Sequence, residues 1–318
     1  MPEPDARTDV FVVGSLNMDL VVRTPRMPRP GETILGGPLS RFAGGKGNNQ
    51  AVAAARAGAK AHMLGCIGND AHGEELRATQ NASGVDTSLV WTIENEHSGV
   101  AIITVDDAGE NTIVVAPGAN AHVDAAMVER ARPVLVRSRV LLMQLEVPLE
   151  TVAAAAGIAR TAGVHVVLNA APASALPEGL LANVDTLIVN AGEAALLAGA
   201  AAENSIEETA RVLTDLGPRT VIITLGAIGV LAIENGQVLR QPSFRVDTID
   251  TVGAGDAFCG AWAAATAAGA DLAIALRFAA AAGALATTVA GAIPSLPMRA
   301  AIDALVREQS PQPTAADR

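Results

Sequence analysis

Residues 140–168 read VLLMQLEVPLETVAAAAGIARTAGVHVVL, which is an apolar run, an alanine-rich segment and a second apolar run. The apolar runs, Val140–Leu145 and Val164–Leu168, have the continuous hydrophobicity of strands buried on both faces. The segment 151–162 between them has the length of a helix. A strand, a helix and a second strand in this order predict a parallel sheet covered by helices.

The same alternation continues on both sides of this stretch. Upstream, Val10–Val13 is a continuous apolar run that ends at Gly14 and is predicted as the first strand. Further apolar runs are Met63–Leu64, Thr186–Val189 and Thr220–Thr224, and further segments of helical length are 47–58, 192–198 and 205–216. The pattern predicts an α/β fold with three layers (α/β/α), in which helices cover both faces of a doubly wound, mainly parallel sheet.

Two stretches interrupt the alternation and predict a small β-sheet lid inserted into the α/β body. Residues 17–43 contain the apolar runs Leu20–Val22 and Glu32–Leu35 on either side of a proline-rich turn. Residues 98–116 contain two apolar runs around the turn sequence DDAGEN, which is typical of a β-hairpin. We expect a small antiparallel sheet that covers a site at the carboxyl ends of the large sheet's strands.

Length and composition indicate one compact domain. The chain has 318 residues, of which 50% are hydrophobic and 17% are charged, and this is enough to bury a large core. We expect a single domain over residues 1–318, with a disordered polar tail at 309–318. The cysteines, Cys66 and Cys259, show neither a CxxC nor a Cys/His pattern, which argues against a disulfide framework or a zinc site.

Charge and hydropathy argue against several classes of partner. The 22 basic and 33 acidic residues give a net charge of −11 without a Lys/Arg cluster, so neither nucleic acid nor an anionic membrane surface is expected to bind. The longest apolar region, Ala257–Ala292, is interrupted by Asp271 and Arg277, which argues against a membrane span. The first ten residues lack the apolar segment of a signal peptide. A cytoplasmic protein is the expectation.

The stretch Asp250–Phe258, DTVGAGDAF, is the first candidate for chemistry. It follows a strand-like run, Phe244–Ile249, and opens a long segment of helical length. The small residues 253–255 allow close backbone approach, and N–H groups at a helix N-terminus bind phosphate or a developing anion. Asp256 beside them is placed to take a proton from an attacking hydroxyl. It is equally typical of a residue that only stabilises the first turn of a helix, and the two readings stay open.

A second glycine-rich stretch, Ala43–Gln50, reads AGGKGNNQ. It is not a Walker A loop, because Ser40 stands where glycine is needed and Gly47 replaces the magnesium-binding Ser or Thr. Its backbone N–H groups, the Lys46 ammonium and the asparagine amides offer many donors to a polyhydroxylated ligand. The alternative is a glycine-rich turn with a solvated lysine.

Polar residues also follow several predicted strands. They are Asn17 and Asp19 after the first strand, Glu146 after 140–145, Asn190 and Glu193 after 186–189, and the loop Thr224–Gly229 after 220–224. An aspartate accepts from two vicinal sugar hydroxyls, and the oxygens of Asn190 and Glu193 suit hydrated Mg²⁺. Local turn and helix-capping roles remain open for these residues. Because the carboxyl ends of parallel strands share one edge of a sheet, we expect all these segments to converge.

The glycine-rich stretches, in their order and spacing, resemble those of the ribokinase (PfkB) family of carbohydrate kinases. The likeness runs from Val10 to about Leu305, and it is carried by Gly44–Gly47 with Gly65–Gly73 and by Asp250–Ala264. Further matching stretches are Gly14–Asp19, Met143–Glu146, Pro148–Glu150 and Asn169–Ala173. The resemblance implies a catalytic domain with a β lid that also joins a homodimer, and ATP-dependent phosphorylation of the 5-hydroxyl of ribose.

The resemblance also implies roles for single residues. Those implied to hold the sugar are Asn17, Asp19, Gly45, Lys46, Asn49 and Glu146, with Asp256 as general base and the N–H groups of Gly253, Ala254 and Gly255 as anion hole. Those implied near ATP and Mg²⁺ are Asn190, Glu193, Thr224, Leu225, Gly226, Ala227, Ile228, Gly229, Gly255 and Ala280. Those implied to bind K⁺ are Asp250, Val252, Ala286, Val289, Gly291 and Ser295. Three positions depart from the family pattern, namely Asn48, Asn69 and Ala280.

Several alternatives to a ribose kinase follow from the same residues. A related kinase would act on deoxyribose, another pentose or a nucleoside, although the absence of tyrosine leaves few candidates for stacking on a nucleoside base. A catalytically silent sugar-binding protein would keep Asp19 and Lys46, but retention of Asp256 beside an anion site argues against it. A nicotinamide-dependent dehydrogenase requires GxGxxG after the first strand, and Gly14–Asp19 reads GSLNMD.

Overall fold

The computed structural model describes residues 9–199 and 205–309. Within these ranges the strands are β1 (Val10–Val13), β2 (Asn17–Thr24), β3 (Ser40–Gly44), β4 (Ala61–Gly68), β5 (Asp86–Ile93), β6 (Gly99–Asp106), β7 (Asn111–Ala116), β8 (Val140–Met143), β9 (His165–Asn169), β10 (Thr186–Asn190), β11 (Thr220–Thr224), β12 (Gly229–Glu234) and β13 (Gln237–Pro242). The α-helices are α1 (Lys46–Arg56), α2 (Ala71–Ala82), α3 (Ala125–Leu135), α4 (Leu149–Thr161), α5 (Ala191–Ala198), α6 (Ile206–Asp215), α7 (Ala254–Ala267), α8 (Leu272–Ala286), α9 (Ala292–Ser295) and α10 (Arg299–Glu308).

The large sheet has nine strands in the order β13-β12-β11-β10-β9-β8-β1-β4-β5. Every neighbouring pair from β5 to β11 is parallel, whereas β12 pairs antiparallel with both β11 and β13. Parallel strands need crossover connections, which here are helices on the two faces of the sheet. The predicted three-layer α/β/α fold with a mainly parallel sheet is therefore confirmed.

Strand β1 shows how both faces of this sheet are covered. Val10 and Val12 pack in one core cluster with residues of α1, α7 and α8. Phe11 and Val13 pack in a second cluster with residues of α3, α4 and α6. All four side chains are fully buried. Because successive side chains of a strand point to opposite faces, a strand between two helical layers needs an unbroken apolar run.

The lid is a separate four-stranded sheet in the order β3-β2-β6-β7. The outer pairs, β2 with β3 and β6 with β7, are antiparallel, but the central pair β2 and β6 is parallel. The prediction of an antiparallel lid is wrong for this pair. Strand β2 continues from β1 and β6 follows β5, and β1 and β5 run in the same direction, so β2 and β6 leave the large sheet in the same direction.

Two predicted strands are not strands in the structure. Glu32–Leu35 lies in a connection where Leu35 is 91% exposed. The chain bonds to β2 beyond this run, first from the N–H of Gly37 to the Arg23 carbonyl and then along β3. Phe244–Ile249 lies in the connection from β13, at the edge of the large sheet, to α7. Both runs have the composition of strands, but neither has a neighbouring strand with which to pair.

The ends of the chain lie largely outside the described residues. The predicted disordered tail begins at Gln309, whose side chain accepts from the N–H of Arg245 and donates to its carbonyl oxygen. Residues 310–318, the rest of that tail, lie outside the described ranges, as do residues 1–8 at the other end. Among the helices in 9–199 and 205–309, none is both long and apolar enough to cross a bilayer.

Candidate active site

The start of α1 packs tightly against the connection between β1 and β2. A Cβ atom on Gly47 would lie 2.5 Å from the backbone nitrogen of Ser15. A Cβ atom on Gly45, whose φ is +88°, would lie 2.6 Å from the backbone nitrogen of Asn17. Only glycine permits these approaches, so the two glycines bring the AGGKGNNQ stretch against the polar residues of β2.

Glu146 joins these two segments to the end of β8. Its Oε2 atom accepts hydrogen bonds from the Ser15 hydroxyl, from the backbone N–H of Lys46 at 3.0 Å and from the Asn17 amide at 3.5 Å. The residue at the N-terminus of α4 is Pro148, and no side chain caps that helix. The capping role left open for Glu146 is therefore wrong, and its carboxylate instead holds the predicted sugar-binding segments together.

Asn120 fixes the orientation of the Asn17 amide. It lies in a short 3-10 helix, 118–122, and is 1% exposed. Its Nδ2 atom donates to Asn17 Oδ1 at 2.7 Å and to the Leu16 carbonyl at 3.0 Å, while its Oδ1 accepts from the Leu16 N–H at 2.9 Å. Because Asn17 uses its oxygen to accept from Asn120, its NH₂ group is turned toward Glu146.

Asp19 lies on β2, within the lid sheet rather than in a turn. Its carboxylate packs against the backbone of Gly44, where a Cβ atom would lie 2.2 Å from Asp19 Oδ2. Burial raises the pKa of Asp19 to about 7, with the charges of Glu146 and Asp256 adding to the effect and the Lys46 ammonium opposing it. Asp19 thus changes its charge near neutral pH.

Lys46 is the cation among these carboxylates. Burial lowers the pKa of its ammonium, but the charges of Asp256, Glu146 and Glu193 outweigh burial, and the pKa lies above its usual value. Lys46 is therefore held in its charged form. One ammonium and several carboxylates share this pocket, which suits a neutral ligand with many hydroxyl groups better than an anion.

Asp256 is 8% exposed and lies in the first turn of α7. Its Oδ2 atom accepts from the Asn49 amide at 2.8 Å, and its Oδ1 atom accepts from the Gln50 amide at 2.9 Å. The helix begins after Gly253, which has a left-handed backbone (φ 79°) and no side-chain cap. Asp256 thus lies in the first turn of the helix, as the alternative reading also expects, but its carboxylate makes no capping bond and is directed to the amides of α1.

The predicted anion hole lies directly beside this carboxylate. The N–H of Ala254 donates to the Thr251 carbonyl in a long bond of 3.3 Å, with which a bound phosphoryl group would compete. A Cβ atom on Gly255 would meet no atom within 4 Å. The backbone at Gly255 therefore borders open space, as close approach of a ligand requires.

Asn190 and Glu193 form a capping box at the start of α5. Asn190 Oδ1 accepts from the Glu193 N–H, and Glu193 Oε2 accepts from the Asn190 N–H, both at 2.8 Å. The local capping role left open for this pair is thus real. It does not remove Glu193 from the pocket, since the charge of Glu193 acts on Lys46.

The predicted nucleotide loop lies at the carboxyl end of β11. Leu225 donates its N–H to the Gly229 carbonyl at 2.8 Å, which closes a single 3-10 turn over Gly226–Ile228. Ile228 is 76% exposed. Ala280, in α8, is 8% exposed and presents only a methyl group to its surroundings. The loop is accessible to a ligand, whereas Ala280 offers no polar atom for recognising a base.

The predicted K⁺ residues lie in two loops and at the adjoining ends of α8 and α9, and hydrogen bonds join the two loops. Asp250 accepts from the N–H of Val252 at 3.0 Å and from the N–H of Gly291 at 2.8 Å. The Thr287 carbonyl, which follows Ala286 at the end of α8, accepts from the N–H groups of Ile249 and Asp250. Within α9, the Ser295 hydroxyl donates to the Ala292 carbonyl, and Val289 in the intervening loop is 45% exposed.

Comparison with known proteins decides the family. Residues 7–299 match the pfkB family of carbohydrate kinases. The chain belongs to this family. It is 42% identical over 295 residues to a ribokinase from Haemophilus influenzae, covering 92% of this chain and 96% of that protein. It is 36% identical to a deoxyribokinase from Salmonella typhi, covering 80% of this chain and 84% of that protein.

Solved structures of carbohydrate kinases have the same fold. The structure of an Arabidopsis thaliana ribokinase complexed with ribose and ATP has a TM-score of 0.88 to this pfkB-family chain, with 32% identity. The match covers 95% of this chain and 99% of the Arabidopsis chain.

The structure of this pfkB-family kinase brings together residues that the sequence singled out and others that it did not. Asn17, Asp19, Lys46, Asn49, Glu146 and Asp256 meet where the lid, α1 and α7 approach one another. Asn120 and Gln50 were missed as functional candidates. A single buried amide follows no periodic pattern, so only its contacts in the folded chain reveal its role.

Proposed function

We propose that this kinase phosphorylates D-ribose at the 5-hydroxyl with ATP, giving ribose 5-phosphate. The observation that carries the proposal is the placement of Asp256, a buried carboxylate with amide donors on both oxygens, directly beside the glycine-rich start of α7. The ribokinase relatives support the choice of sugar, and the Arabidopsis ribokinase supports ribose and ATP as the substrate pair.

The pocket has acceptors that suit the hydroxyls of a sugar. Asn49 is 5% exposed, and its Oδ1 atom is buried without a hydrogen-bond partner among the described residues. A buried acceptor without a partner is costly, and a sugar hydroxyl would satisfy it. Asp19 can accept from two vicinal hydroxyls, and the Asn17 amide, oriented by Asn120, offers a donor.

Asp256 takes the proton of the 5-hydroxyl as that oxygen bonds to phosphorus. ATP supplies the phosphoryl group, and the bond that breaks joins that group to ADP. The N–H groups at Gly253, Ala254 and Gly255 stabilise the negative charge of the transferring group. Lys46 is held in its charged form and lies close enough to Asp256 for their charges to interact. Its positive charge adds to the stabilisation of the transferring group.

Mg²⁺ and K⁺ belong to the same proposal. Within the described ranges, no group of three or more His, Cys, Asp or Glu side chains could hold a metal ion. Mg²⁺ in kinases is bound by one or two carboxylates together with substrate phosphates, so Glu193 is the candidate ligand, with Asn190 beside it. K⁺ would bind carbonyl oxygens of the two loops that Asp250 joins, from Asp250 to Val252 and from Ala286 to Ser295.

A homodimer through the lid is the proposed assembly. Strands β6 and β7 of the lid sheet carry exposed apolar side chains: Ile102 (53%) and its cross-strand neighbour Val114 (62%) share one face, and Ile113 (52%) lies on the other. An apolar patch of this kind on a β-sheet is a typical interaction surface. A cytoplasmic location and a single catalytic domain stay predictions.

Deoxyribose is the second candidate substrate, because a deoxyribokinase is among the relatives at 36% identity. The deciding experiment measures ADP release with MgATP and K⁺ for ribose, deoxyribose, other pentoses, fructose and nucleosides. We expect the highest kcat/KM for ribose. A higher value for another sugar or a nucleoside would reassign the substrate and keep the chemistry. Absence of turnover with every sugar would favour the sugar-binding protein.

A further inference from the structure

A network of buried side-chain amides lies behind Asp256. Gln50 and Gln144 are fully buried, and Asn169 is 8% exposed. Gln50 Nε2 lies 2.9 Å from both Asp256 Oδ1 and Asn169 Oδ1. Gln144 Nε2 lies 2.6 Å from Gln50 Oε1, and Asn169 Nδ2 lies 3.1 Å from the Ile188 carbonyl oxygen. The network therefore joins α1, α7 and three neighbouring strands: Gln144 directly follows β8, Asn169 ends β9 and Ile188 lies in β10.

The Ile188 carbonyl sets the direction of every bond in this network. A carbonyl oxygen only accepts, so Asn169 presents its NH₂ group to Ile188 and its oxygen to Gln50. Gln50 must then present its NH₂ group to Asn169, which places the same group against Asp256. A flipped Gln50 would put its oxygen against oxygens of both Asn169 and Asp256. Gln50 is thus restricted to donating to Asp256.

Two adjacent residues of α1 hold the two oxygens of Asp256. Asn49 donates to Oδ2 and Gln50 donates to Oδ1, so the carboxylate cannot rotate without losing a bond. Each oxygen of a carboxylate has about two acceptor sites, which leaves room for a substrate hydroxyl. The two donors differ in their other contacts. Asn49 belongs to the proposed sugar pocket, whereas the other bonds of the Gln50 side chain to described residues are with Asn169 and Gln144.

We propose that Gln50 is a positioning residue for phosphoryl transfer. It holds the Asp256 carboxylate in the orientation in which an open acceptor site meets the attacking hydroxyl. This inference rests on the proposed function, in which Asp256 takes that proton. Orientation is decisive at this step, because a misplacement of about 1 Å can cost roughly 100-fold in rate.

The test compares the same substitution at two buried glutamines. Gln50→Met keeps a similar volume but removes the donor to Asp256. Gln80→Met is the control, because Gln80 is fully buried in α2 and its side-chain nitrogen and oxygen have no partner among the described residues. We expect Gln50→Met to lower kcat by about 10- to 100-fold. The KM for ribose, and its Kd by calorimetry, should change by less than about threefold, and Gln80→Met should leave both constants unchanged.

A second variant keeps the test usable if Gln50→Met does not fold. Gln144→Met removes the bond to Gln50 Oε1 but leaves the contact between Gln50 and Asp256 in place. We expect a smaller fall in kcat with an unchanged KM. Thermal denaturation of each variant shows which of them are folded.

Other results would overturn the positioning role. A folded Gln50→Met with unchanged kcat would remove it, and so would a raised Kd for ribose with kcat unchanged. An equal loss of kcat in Gln80→Met would assign the effect to core packing. These outcomes differ from failure of the proposed function itself, which would appear as turnover by Asp256→Asn or as absence of kinase activity in the unmodified protein.

Discussion

Asn49 and Asp256 are 207 positions apart in the chain, and a hydrogen bond of 2.8 Å joins them. Asn49 lies in α1 and Asp256 in the first turn of α7. The two helices pack so closely that a Cβ atom on Gly260 would lie 2.6 Å from the Gln50 carbonyl oxygen. The contact therefore holds the segment proposed to bind the sugar and the proposed proton acceptor at a fixed distance, because the two helices pack rigidly.

Asp256→Asn tests the role of this carboxylate as the base. The amide keeps the shape of the side chain but cannot take the proton, so we expect kcat to fall by about 100-fold or more. Ribose Kd by calorimetry should stay within a few-fold, because the other residues proposed to hold the sugar are unchanged. Near-normal turnover in this variant would rule out Asp256 as the base.

Ribose affinity should depend on pH through Asp19. Its pKa is raised to about 7 by burial, Glu146 and Asp256, so the free protein holds Asp19 protonated below that pH. Only the ionised form accepts from two hydroxyls, and we therefore expect calorimetric affinity for ribose to rise as pH rises through about 7. Asp19→Asn should bind weakly at every pH, and an unchanged pH profile in that variant would contradict the assignment.

The raised pKa of Asp19 should also make the folded protein less stable as pH rises, whereas affinity for ribose should increase. Its folded-state pKa lies above the ordinary value of 3.8, so the folded protein holds this proton more tightly than the unfolded chain does. The stability that comes from this tighter proton binding is complete below pH 3.8 and is lost as the pH rises to about 7. We expect Asp19→Asn to raise Tm relative to the unmodified protein above pH 7 but not at pH 4. Equal effects on Tm at both pH values would contradict the raised pKa of Asp19.

Three glycine-to-alanine substitutions should distinguish effects on folding from effects on the proposed site. Gly47→Ala puts a Cβ atom 2.5 Å from the Ser15 nitrogen, so we expect lower Tm and weaker ribose binding. Gly255→Ala and Gly157→Ala, within helices α7 and α4, each meet no atom within 4 Å and should keep Tm. Gly255→Ala should nevertheless lose activity, because its methyl group enters the space proposed for phosphate. Full activity there would argue against the anion hole.

Activity should respond to the monovalent cation through Asp250. We expect higher rates in KCl than in NaCl at equal ionic strength, because Asp250 joins the two loops whose carbonyls would bind K⁺. Asp250→Ala breaks both bonds, and the difference between the two salts should disappear in that variant. Equal rates in both salts for the unmodified protein would contradict the K⁺ site.

The lid should hold the proposed dimer together. Val114→Asp places a charge on a lid side chain that is 62% exposed and lies opposite the exposed Ile102. We expect a dimer for the unmodified protein and a monomer for the variant in size-exclusion chromatography with light scattering. Ile228→Asp, at an exposed position in the 3-10 turn after β11, is the control and should stay dimeric. A monomeric unmodified protein would end this proposal.

The fold was predictable where burial alone decides the structure. Val10–Val13 is apolar at every position because both faces of β1 are covered. Glu32–Leu35 was also predicted as a strand, yet Leu35 is exposed. The strand that pairs with β2 in this part of the chain is β3, which begins later, at Ser40. The parallel pairing of β2 and β6 depends on two connections far apart in the chain, which no local pattern encodes.

The site was predictable where residues follow strands or glycine-rich loops. The sequence could place Asp256 in the first turn of a helix, but it could not show the contacts of its carboxylate with Asn49 and Gln50. Asn120 follows no motif at all, and its part in orienting Asn17 arises only because the 3-10 helix 118–122 lies beside the start of β2.

The carboxylates around the pocket have a consequence for the end of the catalytic cycle. Ribose enters without charge, but it leaves as a phosphate ester that carries close to two negative charges. In the proposed site, the carboxylates of Glu146, Asp256 and ionised Asp19 would accept from the hydroxyls of the sugar and would repel the phosphate of the product. Lys46 offsets only part of that repulsion. The carboxylates proposed to hold the neutral sugar would thus also favour release of the phosphorylated one.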